Sequence, residues 1–226
     1  SHQNLSFQVI YRGRDNYKAA LVLSITLILF LGLRPVSYHF GDTVNYARTY
    51  SNMQYGLFTL DYENSDWLFY WFMNKSASLI SINTFFLIVE FGYIGCTLWA
   101  CKRLMRNNVW VALLMNLVAF SYYSFSINGI RNGLACSIML VAFSYILGSK
   151  SDKVKAAILC FCAYNIHHSM ALPILMMAVS AFILPRFKDN LRLTVAFWVL
   201  SIFLSLTVGD WLETFFAGLG FDDRLN

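Results

Sequence analysis

Charged residues make up only 13% of this 226-residue sequence, against 58% hydrophobic and 17% aromatic residues. A soluble domain carries about a quarter charged residues to solvate its surface, so the composition excludes an ordinary globular domain and points to a body surrounded by lipid. The formal charge of +5 lies in short clusters between apolar runs, not in an aromatic-interleaved basic strip, which excludes nucleic acid as a partner.

The spacing predicts an all-α, polytopic helical bundle with about seven membrane segments, a single transmembrane domain over 1–226 that is part of a longer chain. In chain order the segments are Ala19–Leu33, Leu79–Cys101, Val109–Phe125, Asn132–Leu147, the short pair Val154–Asn165 and Ser169–Leu184, and Leu191–Val208. The short pair breaks at His167-His168. Twelve residues rise only about 18 Å, so the first arm either extends at its ends or turns back inside the outer leaflet. The cysteines (Cys96, Cys101, Cys136, Cys160, Cys162) all lie in or beside apolar runs without metal-ligand spacing and read as inert.

Lys and Arg are distributed unevenly. Twelve of the 17 lie in one alternating set of connections: Arg12, Arg14, Lys18; Lys102, Arg103, Arg106; Lys150, Lys153, Lys155; and Arg186, Lys188, Arg192. The other set holds most of the acids. The positive-inside bias makes the first set cytoplasmic and turns the second set outward.

The outward set contains one long connection, 34–78. Asp42, Tyr46 and Tyr50 fall at i, i+4 and i+8, so a helix starting near Asp42 puts them on one face; Asp42 serves equally as a plain N-cap. Arg48 lies on the same stretch. Asp66-Trp67-Leu-Phe-Tyr-Trp-Phe72 is too aromatic for a free loop and reads as an interfacial helix at headgroup depth.

Further on, Arg131 stands between two apolar runs, where it either snorkels to lipid phosphates or clamps an anion with its planar fork. Arg34 is similarly placed after the first segment. Two such arginines suit a diphosphate. His167 and His168 add groups that titrate near neutral pH, usable as a general base or simply packed. Glu90 is expensive inside a membrane and is a site candidate for that reason. Neither a nucleotide-binding loop nor a metalloprotease or hydrolase motif occurs.

These residues resemble, in order, the EpsG branch of the Wzy-type polysaccharide polymerases. The resemblance rests on Gly32-Leu-Arg34, then Gly41-Asp42-Thr43 with Tyr46, the acidic-aromatic Asp66-Trp-Leu-Phe, Ile130-Arg131-Asn-Gly133-Leu-Ala135, and His168-Ser169. It covers about residues 25–185; family members often carry Gln near Asn128. The resemblance implies a glycosyltransferase of the bacterial inner membrane with its active site facing the periplasm or exterior. Its substrate would be an undecaprenyl-diphosphate-linked oligosaccharide, joined into a surface polysaccharide, with a chain-length regulator and a flippase as partners and no cofactor or metal. On that expectation Arg34 and Arg131 hold the diphosphate and His168 or Asp42 takes the acceptor proton. Tyr46, Arg48, Tyr50, Asp66, Trp67, Glu90, Asn128 and His167 line the substrate. An O-antigen ligase, a membrane O-acyltransferase, a transporter or a non-catalytic scaffold subunit are the alternatives.

Overall fold

The computed structural model describes residues 17–60, 62, 66–146, 148–183, 192 and 195–200. Every regular element among them is helical. The α-helices are α1 (Tyr17–Gly32), α2 (Thr43–Gln54), α3 (Trp67–Ala77), α4 (Ile82–Leu104), α5 (Val109–Val118), α6 (Phe120–Ile127), α7 (Ile130–Ile146), α8 (Lys150–Ile166) and α9 (Ala171–Ala178). Short 3₁₀ turns at Tyr38–Phe40 and His168–Met170 precede α2 and α9, and α9 runs on as a π-turn over Val179–Ile183.

Four helices form the frame: α1 packs on α4, α4 on α7, and α7 on α8. The chain order brings the C-terminal ends of α1 and α8 to the same end of the bundle as the N-terminal ends of α4 and α7. The long connection folds back over that end as α2 and α3. Phe69, Met73 and Ala77 recur at i, i+4 and i+8 on α3 and are all buried, packing with Tyr50, Phe85 and Phe86. The rings meet edge-on or tilted, as with Phe69 and Phe85 at 6.0 Å and Tyr50 and Phe85 at 5.5 Å. Each such pair contributes about 0.5–1.5 kcal/mol beyond area burial. The aromatic segment is thus a helix, as its composition predicts, with one face committed to protein packing.

The basic residues gather at the opposite end. Lys102 lies 4.3 Å above the Tyr17 ring, and the Arg103 guanidinium lies 3.7 Å from the Tyr145 ring. Large apolar side chains face outward along the sides of the frame, including Val22, Phe30, Phe91 and Phe161. Hydrocarbon can solvate such a surface and water does so poorly.

The all-helical expectation holds among the described residues, but the count of about seven membrane segments is not matched by seven helices of spanning length. Among the described residues only α4, with 23 residues, is long and apolar enough to cross a membrane as one rod. α1 and α7, with 16 and 17 residues, rise about 24–26 Å, short of a ~30 Å core. The expected segment Val109–Phe125 is not one helix: α5 and α6 meet at 73° across Ala119, whose backbone is extended. The α6 side of that break is held where Tyr93 stacks on Tyr122 at 4.7 Å and donates its hydroxyl to the Tyr122 carbonyl. The first arm of the short pair extends back to Lys150, because Ser149 and Asp152 cap it reciprocally. Its end at His167 is a true break, with extended φ −157° and ψ 116°. Most of the expected last segment, Leu191–Val208, lies outside the described residues.

Candidate active site

Asp66 occupies the N-cap position of α3, where an aspartate ordinarily accepts from the first free backbone N–H groups of its own helix. Its side chain makes no such bond. The carboxylate, 1% exposed, turns to residues far along the chain. Oδ2 accepts from Arg131 Nη1 at 2.5 Å. Oδ1 accepts from the His168 backbone N–H at 3.2 Å and faces His168 Nδ1 at 3.3 Å; His167 Nδ1 lies 3.3 Å from both oxygens. One carboxylate therefore joins α3, the start of α7 and the break after α8.

The sequence dictates each approach. The chain leaves α8 extended at His167, which presents the His168 N–H and two imidazoles to one carboxylate. Beside them, Trp67 Nε1 donates to Asn165 Oδ1 at 2.6 Å, tying α3 to α8. Arg131 sits one residue into α7. Gly133 lets that turn lie close to α6, since a Cβ there would meet the Phe125 side chain at 3.0 Å and its carbonyl at 3.1 Å.

Arg131 also donates to Tyr70 Oη at 3.1 Å and lies against the Tyr70 ring, and its charge acts on the Tyr46 hydroxyl. Burial holds the Tyr46 hydroxyl above its usual range, against the pull of the Arg131 charge, so it stays protonated. For Asp66, burial pushes the carboxyl up. The His167 hydrogen bond, the Arg131 charge and the His168 bond outweigh it and hold the group below the usual carboxylate range. Exposure is graded across the cluster: Arg131 and His167 keep 23% and 19% of their side chains accessible, while His168 keeps 5%. The open side of the site thus offers a guanidinium and an imidazole.

The other expected residues divide around this cluster. Tyr46 belongs to it. Tyr50, from the same face of α2, is buried and donates to the Ile80 carbonyl at 2.9 Å, a packing task. Asp42 stands exposed at the N-cap position of α2 without a capping hydrogen bond, its side chain accepting instead from Asn45 Nδ2 at 3.3 Å. Its backbone N–H donates to Asn128 Oδ1 at 3.2 Å. Gly41 permits that contact twice over: its φ is +57°, and a Cβ would fall 1.3 Å from Asn128 Oδ1. Arg48 is exposed on α2.

Arg34 is not brought to the cluster. It is 4% exposed, donates to the Leu31 carbonyl at 2.6 Å and to Glu90 Oε1 at 3.0 Å, and stacks over Phe86. Arg34 and Glu90 form a buried ion pair through Nη1 and Oε1, which gives the acid of an apolar helix a charged partner, while Arg34 Nε and Glu90 Oε2 have no hydrogen-bond partner among the described residues. Tyr70 and Asn165 had no signal of their own in the sequence; Tyr70 is one ring among many in its segment.

Asp66, His167 and His168 are also the group whose ligating atoms, all within 4.8 Å of one another, have the composition of a metal site. Their one carboxylate is shared with Arg131. The Arg131 guanidinium balances that carboxylate, and hydrogen bonds tie the acid and basic groups into one network.

The sequence model of the EpsG family matches residues 18–225. The chain belongs to the EpsG family. That family is associated with polysaccharide polymerase activity and with membranes, in agreement with the resemblance read from the ordered motifs. No curated protein and no solved structure matches this EpsG-family chain.

Proposed function

We propose that this chain polymerises lipid-diphosphate-linked oligosaccharide repeat units, with undecaprenyl diphosphate as the carrier, at the outward face of the bacterial inner membrane. The observation that carries the reading is the shared carboxylate: buried Asp66 holds Arg131 and His167 side by side, and these two are the cluster's most accessible basic groups. An arginine suits an oxygen-rich dianion because its fork donates in pairs, and a stabilised diphosphate is a good leaving group. A histidine whose Nδ1 faces a carboxylate keeps the proton there and offers Nε2 as base.

The step is a glycosyl transfer. A hydroxyl of the acceptor sugar attacks the anomeric carbon of the donor, and the bond from that carbon to the diphosphate oxygen breaks. The hydroxyl proton passes to His167 Nε2. The electron pair of the broken bond stays on the diphosphate, where Arg131 meets the charge. His168, more deeply buried, positions Asp66 through its backbone N–H and ring. Tyr46 and Tyr70 orient the guanidinium. Arg34, paired with Glu90 away from the cluster, ties the end of α1 to α4, and the lysine- and arginine-rich end of the bundle supports a cytoplasmic orientation for that end.

The test is polymer laddering in cells carrying Arg131→Lys or His167→Ala at wild-type protein level. Single repeat units in place of ladders are expected for both. A normal ladder from His167→Ala removes the base assignment, and one from Arg131→Lys removes the clamp.

A further inference from the structure

The proposed site has a polar end and an apolar continuation. Arg131 opens α7, and from Cys136 the same helix presents Met139, Leu140 and Phe143, a stripe at i, i+3, i+4 and i+7. His168 opens the turn before α9, and from Met170 that arm presents Pro173, Met176, Met177 and Ser180. The two stripes face one another across a groove of about 400 Å³, within the range of small-ligand sites. Met139, Met170 and Met177 are buried on its floor, and Phe143 and Met176 are exposed at its rim. The walls therefore start at Cys136, five residues after Arg131, and at Met170, two residues after His168, and run away from the cluster as hydrocarbon and thioether.

We propose that this groove seats the hydrocarbon chain of the lipid diphosphate whose head group lies at Arg131. The inference rests on the reading of the site given above and adds where the lipid tail goes. Two features choose this occupant over another helix, whether from this chain or from a second copy. Helices pack in membranes on small residues that let backbones approach, and these walls are mostly Met, Leu, Phe and Pro, with small residues only at Cys136 and Ser180. Methionine is unbranched and adapts to irregular shapes, which suits a kinked, branched chain better than a rigid helical ridge. The continuity does the rest. An anion clamped at the first turn of α7 leaves its attached tail at the head of the groove, and the stripe from Cys136 to Phe143 follows it for about 10 Å.

The experiment uses the chain purified in detergent, with three probes: geranylgeranyl diphosphate, geranylgeraniol and inorganic pyrophosphate. Affinities are measured for the wild type, for Met176→Trp at the exposed rim, and for Arg131→Lys. Met176→Trp is expected to weaken geranylgeranyl diphosphate and geranylgeraniol at least tenfold and to leave pyrophosphate unchanged. Arg131→Lys is expected to weaken both diphosphates. A photoreactive prenyl diphosphate is expected to label peptides of α7 and α9. If Met176→Trp leaves prenyl diphosphate affinity unchanged while Arg131→Lys lowers it, or if the label falls on α1 and α4, the groove assignment is overturned and the head-group site survives. If Arg131→Lys alters neither diphosphate, the reading of the site fails with it.

Discussion

Removing the Asp66 carboxylate strips Arg131, His167 and His168 of a shared partner in one change. Taking one partner from a buried pair costs about 3–5 kcal/mol, and the partly exposed Arg131 brings this toward the lower figure. Asp66→Ala is therefore expected to lower the melting temperature in detergent. Arg131→Ala on top of it should add much less than it does alone, a non-additivity of about 1 kcal/mol or more in a double-mutant cycle; full additivity would mean the pair is not coupled. The same carboxylate sets a pH limit. Its folded-state value is depressed, so its contribution is present above the ordinary carboxylate range near ~3.9 and is lost as pH falls through the lower folded value. The melting-temperature gap between wild type and Asp66→Asn should hold steady near neutral pH and close in acid; a gap that widens in acid contradicts the sign. At this scale the sequence is only half legible. Arg34 and Arg131 look alike in the chain, each at the edge of an apolar run. What separates them is a partner 56 residues away for one and 65 for the other, and no local pattern encodes that.

Helix existence was readable wherever apolar periodicity ran unopposed, and the stops were readable where a specific residue made them. The start of α2 after Asp42 and the break at His167 both follow from the sequence. The start of α8 at Lys150 is set by Ser149 and Asp152, a capping pair within a charged stretch that hydropathy alone reads as a connection. The bend at Ala119 had no proline or glycine to announce it; tertiary contacts such as the Tyr93–Tyr122 stack accompany it. Gly41 shows the opposite case, a single residue whose need is local and strict. Gly41→Ala forces a side chain into left-handed backbone and onto Asn128, and is expected to destabilise by at least about 1–2 kcal/mol. A thermal melt reads this directly, with Gly56→Ala as comparison, since its φ is also positive but a Cβ there meets nothing within 4 Å. Equal losses at the two positions would mean that Asn128 plays no part.

The whole molecule is polarised. The acid-anchored cluster and the folded connection lie at one end, and Lys102, Arg103 and Lys155 lie at the other. The Lys and Arg bias in the sequence predicted such a division. It does not encode how unequal the helices are, because hydropathy reports apolar length while helix length here is set by caps and bends. With single cysteines in a cysteine-free background, Ser78→Cys is expected to react with an impermeant maleimide in intact cells, and Ser151→Cys only after permeabilisation; the reverse pattern inverts the topology. The carboxylate's contacts also have a consequence for biogenesis. Asp66 meets Arg131 across 65 residues and His167 across 101, so the cluster cannot close until the hairpin of α7 and α8 has left the ribosome. A nascent chain halted anywhere before residue 167 carries the acid without its imidazoles, so the complete cluster is a late event of synthesis.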